Sequence, residues 1–119
     1  MDLFDGTCSN FFRDIQGKKC VLFGAHPYLV DDIFACLKNA VHFSYIVDND
    51  SSKWGRIIQG RNVYSPDKLR QEEANTVVVL FGITTRMFDA ERQLLSMGIK
   101  DYYFFVFFAE EFEKKGAIV

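Results

Sequence analysis

The residues able to do chemistry in this chain gather on two short turns. Gly24-Ala25-His26-Pro27-Tyr28 ends one apolar run, Gly82-Ile83-Thr84-Thr85-Arg86 ends another, and a helical pattern follows each. A glycine at the end of a buried strand allows a tight entry into a helix, whose first amides and dipole favour an anion. Thr84 and Thr85 can add hydroxyl donors, and Arg86 a guanidinium, to a phosphate or carboxylate. As local structure, the same residues read equally as a helix cap and a solvated arginine. His26 is the titratable group of the first turn and the candidate acid–base residue; its other reading is a polar loop residue. Asp48 follows the apolar run Tyr45-Ile46-Val47, 24 residues after Gly24. An acid at such a strand tip grips a ribose hydroxyl in dinucleotide-binding folds, although Asp48-Asn49-Asp50 also reads as an Asx turn. The candidate binding set is therefore Gly24, Ala25, His26, Asp48, Gly82, Thr84, Thr85 and Arg86.

The glycine pattern argues against an ordinary dinucleotide site. A GxGxxG turn needs its second glycine for close approach of a pyrophosphate and its third for helix packing, and here His26 and Leu29 hold those positions. Pro27 removes a further amide donor. Cys8, Cys20 and Cys36 are far apart, form no CxxC pair, and imply neither a metal site nor a disulfide framework. Cys20 and Cys36 read as small core residues in a reducing compartment. Asp31 and Asp32 fall in the opening turn of a helix and read as dipole partners. No nucleophile elbow, P-loop or acid pair is present, so no catalytic residue is assigned and the ligand is left unknown between NAD, a nucleotide sugar and none.

The elements that position these turns alternate. Lys19–Phe23 and His42–Val47 read as strands, with a helix between them carrying Leu29, Ile33, Phe34 and Leu37 and ending at Lys38-Asn39. Gln59-Gly60 marks a small hairpin whose second arm, Asn62–Tyr64, pairs at the sheet edge. Ser65 caps a short helix over Pro66–Glu73, and Asn75–Phe81 is a central strand covered on both faces. A helix capped by Thr84 or Thr85 follows, its apolar side formed by Met87, Phe88, Leu94, Leu95 and Met97, before Gly98 and a last strand, Tyr102–Phe107. Residues 1–17 read as a lead-in helix capped at Ser9 or Asn10, and Glu110–Lys115 as a terminal helix or tail. The expected fold is α/β: one domain over residues 1–119, its 18–107 core a three-layer unit with a mainly parallel five-stranded sheet in the order 3-2-1-4-5. The crevice falls between strands one and four, where the two turns face each other.

With 49% hydrophobic and 25% charged residues and a net charge of −2, the chain has the balance of a soluble domain and no basic field for nucleic acid or an anionic membrane. No signal peptide is visible and no apolar run is long enough to span a bilayer as a helix, so the expected location is cytoplasmic. Thirteen phenylalanines imply either a Phe-rich core or an aromatic patch covered by a partner.

Three stretches carry a family resemblance: Lys19-Cys20-Val21-Leu22-Phe23-Gly24-Ala25, then Tyr45-Ile46-Val47-Asp48-Asn49-Asp50-Ser51-Ser52-Lys53-Trp54-Gly55, then Ile58-Gln59-Gly60-Arg61-Asn62-Val63-Tyr64-Ser65-Pro66-Asp67-Lys68-Leu69, with Leu94-Leu95-Ser96-Met97-Gly98-Ile99 as a matching end. Together they resemble a small Rossmann-like domain found beside sugar-modifying and capsule-biosynthesis enzymes, including nucleotide-sugar transferases and FkbM-type methyltransferases. The resemblance spans residues 18–107 and implies an NAD- or nucleotide-sugar-type binding domain in polysaccharide biosynthesis. His26-Pro27-Tyr28 departs from the family's glycine-rich continuation. Three readings follow: a non-catalytic module binding a nucleotide or nucleotide sugar beside a glycosyltransferase partner; a degenerate domain used for protein association or homo-oligomerisation through the aromatic Tyr102–Phe108 edge; and a transferase or oxidoreductase using His26.

Overall fold

The computed structural model describes residues 7–37 and 40–107. Six strands, β1 (Lys19–Phe23), β2 (Phe43–Val47), β3 (Ile57–Ile58), β4 (Arg61–Tyr64), β5 (Val77–Phe81) and β6 (Tyr102–Phe104), lie in the order β3-β4-β2-β1-β5-β6. All pairs are parallel except β3–β4. The chain is thus α/β, with helices α1 (Thr7–Asp14), α2 (Pro27–Leu37) and α3 (Met87–Ser96).

The expected five-stranded sheet in the order 3-2-1-4-5 is corrected to six strands, because both arms of the hairpin join the sheet and its outer arm leaves an antiparallel edge. Gln59 and Gly60 both adopt positive φ, 53° and 74°, as a two-residue type I′ loop requires. Ile57 and Ile58 therefore fold straight back onto Asn62 and Arg61.

Alternation along the two central strands builds two cores. Cys20, Leu22, Val78 and Leu80 pack with Phe11 of α1 and with Val30, Ile33, Cys36 and Leu37 of α2. Val21, Phe23, Val77, Val79 and Phe81 face the other way, onto Leu69 and onto Ala90 and Leu94 of α3. Successive side chains of a strand point to opposite faces, so a strand covered on both sides must be apolar throughout. β5 is buried at all five positions. Phe81 lies stacked on Phe104 with centroids 4.7 Å apart, so much of the phenylalanine content is core.

Several local expectations change. α1 begins at Thr7, which places Ser9 and Asn10 inside the helix rather than at its cap. The expected helix over Pro66–Glu73 is a 3₁₀ segment, Pro66–Gln71, although Ser65 Oγ does accept from the Asp67 amide at 3.2 Å. A second 3₁₀ turn over Ala74–Thr76 delays the strand to Val77. Phe88 and Leu95 are exposed, because Ala90 and Leu94 supply the buried stripe of α3. α3 ends in a Schellman motif: the Gly98 amide donates to Leu95 O at 3.0 Å and the Ile99 amide to Leu94 O at 3.1 Å. The last strand stops at Phe104, with residues 105–107 helical. The expectations for Lys38-Asn39 and for Glu110–Lys115 fall outside the described residues. No helix among the described residues is long and apolar enough to cross a membrane.

The segment after the 3₁₀ turn is tied to the sheet through Glu72. Tyr45 Oη donates to Glu72 Oε2 at 2.7 Å, and Lys19 Nζ reaches both carboxylate oxygens at 3.1 Å. Burial pushes this carboxyl up, but the hydrogen bonds from Tyr45 and Lys19 together outweigh it and hold the group below its ordinary value of 4.5. A carboxylate depressed in the folded state adds stability above its unfolded pKa and loses it as pH falls through the folded value. Glu72→Gln is therefore expected to cost about 1 kcal/mol at neutral pH. The deficit should vanish as the pH falls well below 4.5, where wild type and variant converge; urea titrations at neutral pH and near pH 3 check this, and an equal deficit at both would contradict it.

Candidate functional site

The chain runs outward from β1 through β2 to the hairpin, then returns to lay β5 on the other side of β1. At this reversal the connections from β1 and β5 leave in opposite directions, which opens a crevice at the strands' carboxyl ends. A cavity of about 420 Å³ lies there. Its walls are the β1–α2 turn, the β5–α3 turn and the segment that follows β2.

The floor is a contact between two glycines. The Gly24 amide donates to Val47 O at 2.8 Å and the Gly82 amide to Phe23 O at 2.8 Å, so both continue the sheet ladder past its regular strands. Gly24 has a φ of 125°, and a Cβ there would stand 2.6 Å from the Gly82 carbonyl oxygen. Only glycine lets these turns approach so closely.

Asp48 ties β2 to the first turn. Its Oδ2 accepts from the Ala25 amide at 2.7 Å and its Oδ1 from the Asp50 amide at 2.7 Å. The Asx reading and the site reading of Asp48 are thus both present in one carboxylate. Asp50 in turn caps a 3₁₀ segment, Ser51–Lys53, accepting from the Ser52 amide at 3.0 Å and the Ser52 hydroxyl at 2.7 Å. These two hydrogen bonds hold the Asp50 carboxyl below its ordinary value. Trp54 closes the segment, its indole Nε1 donating to Asp48 O at 2.6 Å. This folding-back swings Lys53 into the cavity wall, with Nζ 3.9 Å from Asp48 Oδ2.

Of the residues singled out in the sequence, Gly24, Ala25, His26, Asp48, Gly82, Thr84 and Thr85 all line this cavity. Arg86 does not: it stands over an adjoining hollow with Asp48, Asn49, Thr85 and Asp89. Nor do Thr84 and Thr85 cap α3. Arg86 occupies the N-cap position in the left-handed conformation, φ 54° and ψ 33°, with no side-chain cap bond, so the helix starts only at Met87. His26 is exposed, its ring 5.8 Å from that of Tyr28, and among the described residues its imidazole makes no hydrogen bond or ion pair. Among the described residues no carboxylate orients it as an acid–base group would require. His42 precedes β2 at the opposite end of the strand and lies 3.4 Å from Arg61. Cys20 is buried, and burial pushes its thiol up, so it is an inert core residue.

Tyr28 and Ile83, which the sequence places on the two facing turns but outside the binding set, also line the cavity; Leu29, Asp32 and, above all, Lys53 are lining residues that sequence reasoning missed. The signal for Lys53 was Asp50-Ser51-Ser52, a capping pattern that turns the chain back toward Asp48.

A second hollow of about 420 Å³ lies between α3 and β6, lined by Met87, Phe88, Tyr102, Phe104 and Phe107. Phe88 is 77% exposed on its rim. Tyr102 is fixed there by a 2.6 Å bond from its hydroxyl to Glu91; burial first and then this bond push the phenol up to about 12. Compared with known proteins, the chain matches no family model and no curated protein.

Proposed function

We propose that this chain is a Rossmann-like module that binds a nucleotide or nucleotide sugar in the crevice between β1 and β5, serves sugar transfer in polysaccharide biosynthesis, and performs no catalysis of its own. The observation that carries this is the 420 Å³ cavity at the switch point of the sheet, into which His26, Asp48, Thr84 and Thr85 converge. Its polar groups suit a phosphorylated, hydroxyl-rich ligand, and its chemistry offers binding without an activated nucleophile. The site disfavours a ligand that lays its pyrophosphate across the first turn, as NAD does in a dinucleotide fold; a mononucleotide, or a nucleotide sugar with its diphosphate held elsewhere in the crevice, fits it better. The Ala25 amide is already spent on Asp48, and Pro27 has no N–H, so the first turn cannot cradle a pyrophosphate as a glycine-rich loop does.

Isothermal titration against UDP-sugars, NAD and S-adenosylmethionine tests the reading. Heat is expected with the UDP-sugars and little with NAD, and no heat with any of the three would remove it. The aromatic hollow beside β6 favours a second reading, self-association through that edge. Sedimentation of the same samples separates the two, since a monomer at all concentrations discards association.

A further inference from the structure

Among the described residues Lys53 is the ammonium-bearing residue of the cavity wall, and its donors are left unfilled. Its side chain is 21% exposed, and its ammonium carries three N–H donors. Among the described residues the ammonium makes no hydrogen bond; it lies 3.9 Å from Asp48 and also acts electrostatically on the Asp50 carboxylate. Asp48 cannot turn to meet it, because both carboxylate oxygens are held by backbone amides at 2.7 Å. The backbone that carries the ammonium is held in place, since its 3₁₀ turn is anchored by the Asp50 cap and by the Trp54 indole. A half-buried ammonium with unfilled donors, facing a cavity, has its strongest available partner in an anionic oxygen.

We infer that Lys53 receives the phosphate of the bound ligand, and that the ligand is therefore held by a phosphate on the β2 side of the crevice rather than on the amides of the glycine turn. The inference rests on the nucleotide reading of the cavity and adds to it the group that selects phosphorylated over uncharged nucleosides. The Ala25 amide and Pro27 make the usual phosphate seat unavailable, and Lys53 supplies the charge that seat would have provided.

The test compares UMP and AMP with uridine and adenosine by titration calorimetry on the whole chain. The monophosphates are expected to bind the wild type at least about tenfold more tightly than their nucleosides. Lys53→Met should abolish that preference while leaving nucleoside affinity within about twofold, and Lys53→Arg should restore monophosphate binding to within about threefold. Equal affinity of the wild type for UMP and uridine would overturn the Lys53 assignment and leave the nucleotide reading standing; so would a Lys53→Met protein that keeps the preference. A wild type that binds none of the four removes both. The wild-type comparison needs no variant, so a Lys53→Met protein that fails to fold does not shield the inference.

Discussion

Gly24→Ala is expected to destabilise the protein by about 3–5 kcal/mol, the sum of left-handed backbone strain and overpacking against a rigid neighbour. The new Cβ would lie 2.6 Å from the Gly82 carbonyl oxygen and 3.1 Å from its carbon, both backbone atoms of a neighbouring element. At φ 125° no L-residue sits comfortably, so relaxation of the neighbour removes only part of the penalty. Gly82→Ala provides the contrast. Its Cβ would also meet an atom at 2.6 Å, but that atom is the Cδ1 of Ile33, the movable tip of a side chain. The expected cost there is about 1–2 kcal/mol. Urea unfolding of both variants checks the ranking, and a Gly24→Ala protein within 1 kcal/mol of wild type by about the error of such measurements would refute the account.

Asp48→Ala carries the second large effect, on stability and on binding together. It strips the acceptor from the amide of the buried Ala25 and from that of Asp50, and it removes the carboxylate 3.9 Å from the Lys53 ammonium. Hydrogen bonds to an ionised group contribute about 1.5–3 kcal/mol each. The Asp48 side chain is 16% exposed, so water offsets part of the loss and a net cost of about 2–4 kcal/mol is expected. Asp48→Asn should fall between, at about 1–2 kcal/mol, because an amide keeps one acceptor oxygen and opposes the second N–H with its own donors. Nucleotide affinity should drop by about tenfold or more in the alanine variant as the first turn detaches from β2. Chemical unfolding followed by calorimetry with UMP reads both. An Asp48→Ala protein with wild-type stability would show that the clamp between β2 and the first turn adds nothing.

Much of this architecture was legible in the order of residues. Alternating apolar runs and helical stripes imply an α/β sheet, because strands buried on both faces must be apolar throughout. Gly24 and Gly82 mark the two turns because only those strands end in glycine before a helix starts. Seven of the eight residues proposed from the sequence line one cavity, since residues at the carboxyl ends of adjacent parallel strands are brought together whatever else the fold does.

What the sequence left open depended on competition between local and long-range forces. Ser65 and Pro66 announce a helix start, yet the segment settles as a 3₁₀ turn, burying Pro66 and Leu69 and ending where Glu72 meets Lys19 and Tyr45. Thr84 and Thr85 are good caps by type, but the helix starts after Arg86, and cap preference alone does not decide which residue is reached first. Lys53 is one of several surface lysines in one dimension.

The two glycine-ended turns were thus determined by sequence, because their geometry is local: a strand that stops, a residue without a Cβ, a helix that begins. The use each turn can make of its amides was decided only by tertiary structure. A carboxylate just past β2 takes up the Ala25 amide across 23 residues of chain, while the next 3₁₀ turn brings an ammonium to the same wall. Hydrogen-bond donors are consumed by whichever acceptor the fold brings near, and no reading of spacing along the chain can tell a donor that is free from one already taken.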